Sequence, residues 1–208
     1  MRPRNVSPHR AARARRAGHF AIVGSLAAAC FVTPVIRADT TKADEESAAV
    51  GSPAVKLRMR YAGSYRFAGD AAEQRARADA IDRSVAAFFF AFRGIARAKV
   101  ADRTTIVPTC KFEFSGGTIR STVPGHPVAV SPETGAPVPY RVDDEAIVLS
   151  QRFEGERLVQ VFRADDGGSR TNEFMLSPDG ARLTMKATVS SPRLSIPVVY
   201  TLTYQRVD

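Results

Sequence analysis

Two side chains in the body of this sequence are of a kind that does covalent or metal chemistry: His126, in the proline-rich run VPGHPVAVSP, and Cys110, which opens CKFEFS. A zinc- or copper-type site gathers three or four His, Cys or carboxylate ligands. Beyond residue 38 the chain holds one His and one Cys, which argues against such a site and leaves only an all-oxygen cation site open. The acidic runs Asp143–Glu145 and Ala164–Ser169 lack the alternating ligands and terminal Glu of a calcium loop, so they read as solvated turns. No G-x-S-x-G elbow, G-x-G-x-x-G run or P-loop occurs. A Ser–His pair built on His126 stays open, because triads are set by geometry. Glu154 and Glu156 flank Gly155, as charges at a hairpin turn do. Cys110 has no histidine or cationic cluster beside it to lower its pKa and reads as a small buried hydrophobe. The expectation is no catalytic residue, no metal and no cofactor.

What remains is apolar. AAFFFAFRGIARAKV (Ala86–Val100) sets four phenylalanines within five residues, in a chain without tryptophan. Asp70 to about Val100 contains almost nothing that breaks a helix. Asp70 is an N-cap candidate, with Glu73 three residues on at capping-box spacing. Ile81, Val85, Phe88, Phe92 and Ile95 recur at helical spacing, and Phe89 widens that stripe. One long amphipathic helix is therefore predicted, its phenylalanines facing inward. The unbroken apolar run Val85–Phe92 is far short of the roughly 20 residues that cross a bilayer. Arg93 and Arg97 either balance the dipole at the helix end or face an anionic headgroup.

The elements around this helix read as strands. In VKLRMRYAGSYRF, Val55, Leu57 and Met59 alternate with charged residues, which predicts a first strand. CKFEFS and GTIRSTV join through Gly116-Gly117, AIVLSQRF and RLVQVFRA at Gly155, and RTNEFMLS and RLTMKATVS through PDG. PVVYTLTYQRV comes last. Its apolar face carries Tyr200 and Tyr204. Glycine turns at this spacing predict an antiparallel meander of about eight strands, closed or split because open edges aggregate. Val123–Asp143, with five prolines, cannot be a central strand and reads as a binding loop or an ordered connector.

The net charge of +9 belongs to the front of the chain. Seven arginines and no acidic residue precede position 39, leaving 23 basic against 21 acidic residues. That balance argues against nucleic acid as a partner. An arginine-rich start followed by FAIVGSLAAACFVTPVI reads as a secretory signal peptide over 1–38, and 39–54, polar and acidic, as a flexible linker. Cys30 after LAAA is similar to a lipobox, so a membrane link would run through a lipidated Cys30. The protein is expected outside the cytoplasm, periplasmic or extracellular and held by lipid or free.

An α+β antiparallel barrel over 55–208 with a long helix after the first strand resembles the lipocalin-like, calycin-type secreted proteins. The resemblance is one of element order: the Gly-x-Trp signature is absent and the long helix comes early, so no binding residue transfers. It implies a protein that binds one small apolar or lipid-like ligand. Phe88, Phe89, Phe92 and Ile95 of the helix, with Tyr200 and Tyr204 of the last strand, are the candidate contacts. The alternative is a non-enzymatic structural or interaction module of the cell envelope with a solid core.

Overall fold

A computed structural model describes residues 52–207; the leader and most of the linker lie outside the described residues. The chain runs α1 (Pro53–Tyr61), β1 (Gly63–Phe67), α2 (Ala71–Val85), α3 (Phe90–Arg103), β2 (Thr109–Ser115), β3 (Thr118–Thr122), β4 (Ala129–Pro132), β5 (Val138–Val142), β6 (Glu145–Glu154), β7 (Arg157–Ala164), β8 (Ser169–Leu176), β9 (Arg182–Ser190) and β10 (Val198–Arg206). The strands form one antiparallel sheet in the order β4-β3-β2-β1-β10-β9-β8-β7-β6-β5. Pairing of β1 with β10, Tyr65 opposite Arg206 and Phe67 opposite Tyr204, joins two meanders. These curl toward each other into a nearly closed barrel. The α+β class and the helical insertion after the first strand agree with the sequence reading.

Ten strands form rather than about eight, because the proline run contributes β4 and β5. Both are sheet edges, where a missing N–H costs no ladder bond. They do not pair with each other. Thr134 instead bridges to Arg152 of β6, and the Tyr140 hydroxyl donates to the Pro127 carbonyl at 2.5 Å.

Two further expectations are corrected. The predicted first strand at Val55–Met59 is helix α1. Its residues are good helix formers behind Pro53 at the first turn, and the alternation is coincidental. Met59 is 68% exposed, while Leu57 and Tyr61, four apart, reach the core. The Tyr61 hydroxyl lies 2.7 Å from the Glu156 carbonyl and accepts the Leu176 N–H at 3.2 Å, which fixes α1 across the end of the barrel that carries the β6–β7 turn. Gly63, at φ 141°, makes the turn into β1 that a side chain would strain.

The second correction is the long helix, which is two. Ala80, Ile81, Ser84 and Val85 of α2 are buried. After Val85 the chain reverses, and α3 returns along α2. Arginines make this reversal tolerable by supplying donors to carbonyls that a helix end leaves orphaned. Arg93 donates to the Ala86 and Phe88 carbonyls. Arg77 of α2 donates to the Thr104 carbonyl at 2.6 Å and the Ala101 carbonyl at 2.7 Å, holding the C-terminal end of α3.

Only half of the expected capping box forms. Asp70 accepts the N–H groups of Ala72 and Glu73, but the Glu73 carboxylate reaches the N–H and hydroxyl of Thr203 on β10. Gly69 is required beside it: a Cβ there would lie 2.0 Å from Glu73 Oε2 and 2.6 Å from the Phe67 ring. Gly69→Ala is expected to destabilise the fold by about 1–3 kcal/mol in chemical denaturation. Asp70, held below its ordinary pKa of 3.8 by the N–H bonds from Glu73 and Ala72, stabilises the folded state above that value. The contribution is lost as pH falls through the lower folded-state pKa. The gap in denaturation midpoint between wild type and Asp70→Ala should therefore narrow below about pH 4.

Candidate functional site

Alternation along the long strands decides what faces inward. Tyr200, Leu202 and Tyr204 of β10, Leu183, Met185 and Ala187 of β9, Phe174 of β8 and Leu158 of β7 are buried in one core with Tyr65, Cys110, Phe112 and Ile119. The rings pack edge-on: Phe112 meets Phe174 at 5.0 Å and Phe67 meets Tyr204 at 5.7 Å.

Through this apolar interior runs a row of polar side chains. Gln151 of β6 stands opposite Gln160 of β7, which stands opposite Asn172 of β8, and all three are buried. Asn172 Nδ2 donates to Gln160 Oε1 at 3.0 Å. Gln160 Nε2 donates to Gln151 Oε1 at 2.9 Å and to Ser121 Oγ at 2.8 Å. Gln151 Nε2 then crosses to the other meander, donating to the Ile119 carbonyl of β3 at 3.1 Å and to Ser131 Oγ of β4 at 3.2 Å. At its far end the row reaches the helix pair. Arg170 Nε donates to Asn172 Oδ1 at 2.9 Å, and Arg170 Nη1 donates to the Arg103 carbonyl at 3.1 Å. Among the described residues every buried polar side-chain atom has a partner, as a stable interior demands.

The six ligand contacts expected from sequence are not brought together. Tyr200 and Tyr204 are buried, their hydroxyls directed to the carbonyls of Thr104 at 3.5 Å and Val107 at 3.3 Å. Burial raises the pKa of Tyr204 above the ordinary tyrosine value. Phe88 is half-buried, whereas Phe89, Phe92 and Ile95 are 60–63% exposed. The inward-facing phenylalanine stripe is thus corrected: the break after Val85 turns it outward. Arg97 pairs with Asp82 across the two helices.

His126 is exposed in the turn between β3 and β4, and Cys110 is buried, so the two do not meet. Burial pushes the Cys110 thiol up to about 12, which keeps it protonated and unreactive. No three His, Cys, Asp or Glu side chains gather as a metal site among the described residues.

Sequence reasoning missed Gln151, Gln160, Asn172, Ser121 and Ser131. The signal was there in Leu149-x-Gln151-x-Phe153 and Leu158-x-Gln160-x-Phe162, where an amide occupies the apolar register of a strand.

No protein-family model matches this chain, and no curated protein sequence does. Solved structures similar to it include a secretory abundant heat soluble protein from Ramazzottius varieornatus, with TM-score 0.48, 8% identity and coverage of 71% of this chain and 96% of that one. Apo lipid binding protein 8 of Caenorhabditis elegans gives TM-score 0.46 and 10% identity over 72% and 96%. A Schistosoma mansoni fatty acid binding protein in complex with arachidonic acid gives 0.43 and 16% over 73% and 99%. The likeness is one of barrel architecture, and no sequence signature accompanies it.

Removing one amide from the row strands its neighbours, since an unpaired buried polar group costs more than the bond it made. Gln160→Leu should destabilise the protein by about 1–3 kcal/mol. Replacing the row together (Ser121→Ala, Ser131→Ala, Gln151→Leu, Gln160→Leu, Asn172→Val) should recover part of that loss in urea denaturation.

Proposed function

We propose that the chain is an exported binding protein that takes a small lipid-like molecule into its barrel. An uncharged hydrogen-bonding head lies against the amide row, and an apolar body lies among the rings. The row carries this reading. A barrel built for stability alone is served as well by apolar side chains of the same shape, because a satisfied polar network adds little net stability. Neutral donors and acceptors set inside an apolar enclosure are what orient a ligand with one polar end. The row borders inward-facing Phe153, Phe162 and Arg170, which are only half-buried. Phe162 and Arg170 lie toward the C-terminal end of α3, whose Arg103 carbonyl Arg170 holds, and Phe153 lies toward α1, against the Tyr61 ring. The arginine-rich leader supports export, with Cys30 as the lipidation candidate.

One observation favours a second reading, the envelope interaction module with a solid core. Leu149, Leu158, Leu183, Ala187 and Tyr204 have no accessible surface, so their inward side chains already fill the space around them. On that reading the amides fix strand register alone.

Native mass spectrometry of protein purified from its own host, followed by organic extraction, separates the two. The expected result is a co-purifying lipid-like adduct whose retention falls about tenfold or more in Gln160→Leu, the worth of one well-placed hydrogen bond. A clean apo mass that persists after incubation with lipids overturns the carrier reading in favour of the solid core.

A further inference from the structure

Helix α3 buries none of its residues, although four of the large apolar side chains at its N-terminal half would ordinarily be core. Phe89 is 63% exposed, Phe90 75%, Phe92 61% and Ile95 60%. The rings cluster outside the protein, Phe89 to Phe90 at 4.5 Å and Phe89 to Phe92 at 6.3 Å. A contiguous exposed aromatic patch marks an interaction surface. Its surroundings are basic: Arg93, Arg97 and Lys99 are exposed, and from Phe88 to Arg103 four basic residues face one acidic residue, Asp102. The contacts that tie the helix to the barrel lie at its other end, where Arg77 holds Ala101 and Thr104, Arg170 holds the Arg103 carbonyl and Arg103 pairs with Glu145.

We propose that the phenylalanine-bearing face of α3 docks on an anionic lipid bilayer, the helix lying in the headgroup plane with its rings at the acyl boundary and Arg93 and Lys99 against lipid phosphates. This pairing of rings with cations is what an interfacial helix needs, and each basic side chain near an anionic surface adds to the attraction. At 14 residues the helix is about 21 Å long, too short to span, and no helix among the described residues is long and apolar enough to cross a membrane. A second copy is the poorer occupant, since a two-fold pairing of this face sets Arg93 and Lys99 against themselves. The docking does not depend on what the barrel holds.

The absence of tryptophan supplies the test. Phe92→Trp, at an exposed site that leaves packing intact, puts one indole on the face. The full-length variant is mixed with phosphatidylcholine–phosphatidylglycerol vesicles carrying brominated acyl chains. The expected result is a blue shift and bromine quenching, both lost with phosphatidylcholine alone or in high salt. Added Lys99→Glu, which leaves the Arg93 bonds of the reversal in place, should weaken partitioning about tenfold. The proposal is overturned if the protein stays off the vesicles, or if it binds them through another segment with the indole unquenched. It is equally overturned if the blue shift grows with protein concentration in the absence of vesicles, which would identify a second copy as the occupant.

Discussion

The two meanders of the barrel meet at a gap that buried amides span. Strand pairing stops at β4 on one side and β5 on the other, and the backbone crosses between them at the isolated Thr134–Arg152 bridge. Gln151 spans the gap with side-chain bonds, its Nε2 bonded to the Ile119 carbonyl and Ser131 Oγ on the far meander while its Oε1 accepts from Gln160 and Ser121. Gln160 also donates across it to Ser121. With Gln151 wholly buried, these bonds work in low dielectric, where an unmade partner is expensive. These bonds therefore favour one register of β6 against β3 and β4.

Arginine plays the matching part at the helical end. A helix that stops without a glycine or a polar cap leaves carbonyls without donors, and the α2–α3 reversal has neither. Arg93 supplies donors there from its side chain, and Arg77 supplies them at the C-terminal end of α3. Arg170 does the same from inside the barrel while also holding Asn172. Arg170 thereby joins the interior row to the C-terminal end of α3.

Much of this architecture was legible in the residues. Strands β6 to β10 begin and end within a residue or so of where alternation and glycine turns put them, because each half-buried strand of a meander writes its burial directly into a two-residue period. Where the period was short or shared, reading failed. Five alternating residues at Val55–Met59 fit a strand, yet their helical spacing suits Leu57 and Tyr61 equally well. The break after Val85 has no local sign: Ala86 to Phe89 contains no glycine or proline, and Gly94 sits within α3 instead. It follows from long-range contacts, the burial of Ile81 and Val85 against the barrel and the reach of Arg77. The amide row was passed over for a related reason. Gln and Asn in a strand are ordinarily the solvent face, and only the strand face they share with Leu149, Leu158 and Phe174 places them inside.

The partnership of β1 with β10 also orders events in time. A chain made from its N-terminus presents β1, which ends at Phe67, long before its second neighbour, which begins at Val198. Until then the meander is an open sheet with Tyr65 and Phe67 bare on one flank. Contacts of such sequence separation make topology-limited, slow closure. Closure of the cylinder therefore waits for β10, whatever has paired before it.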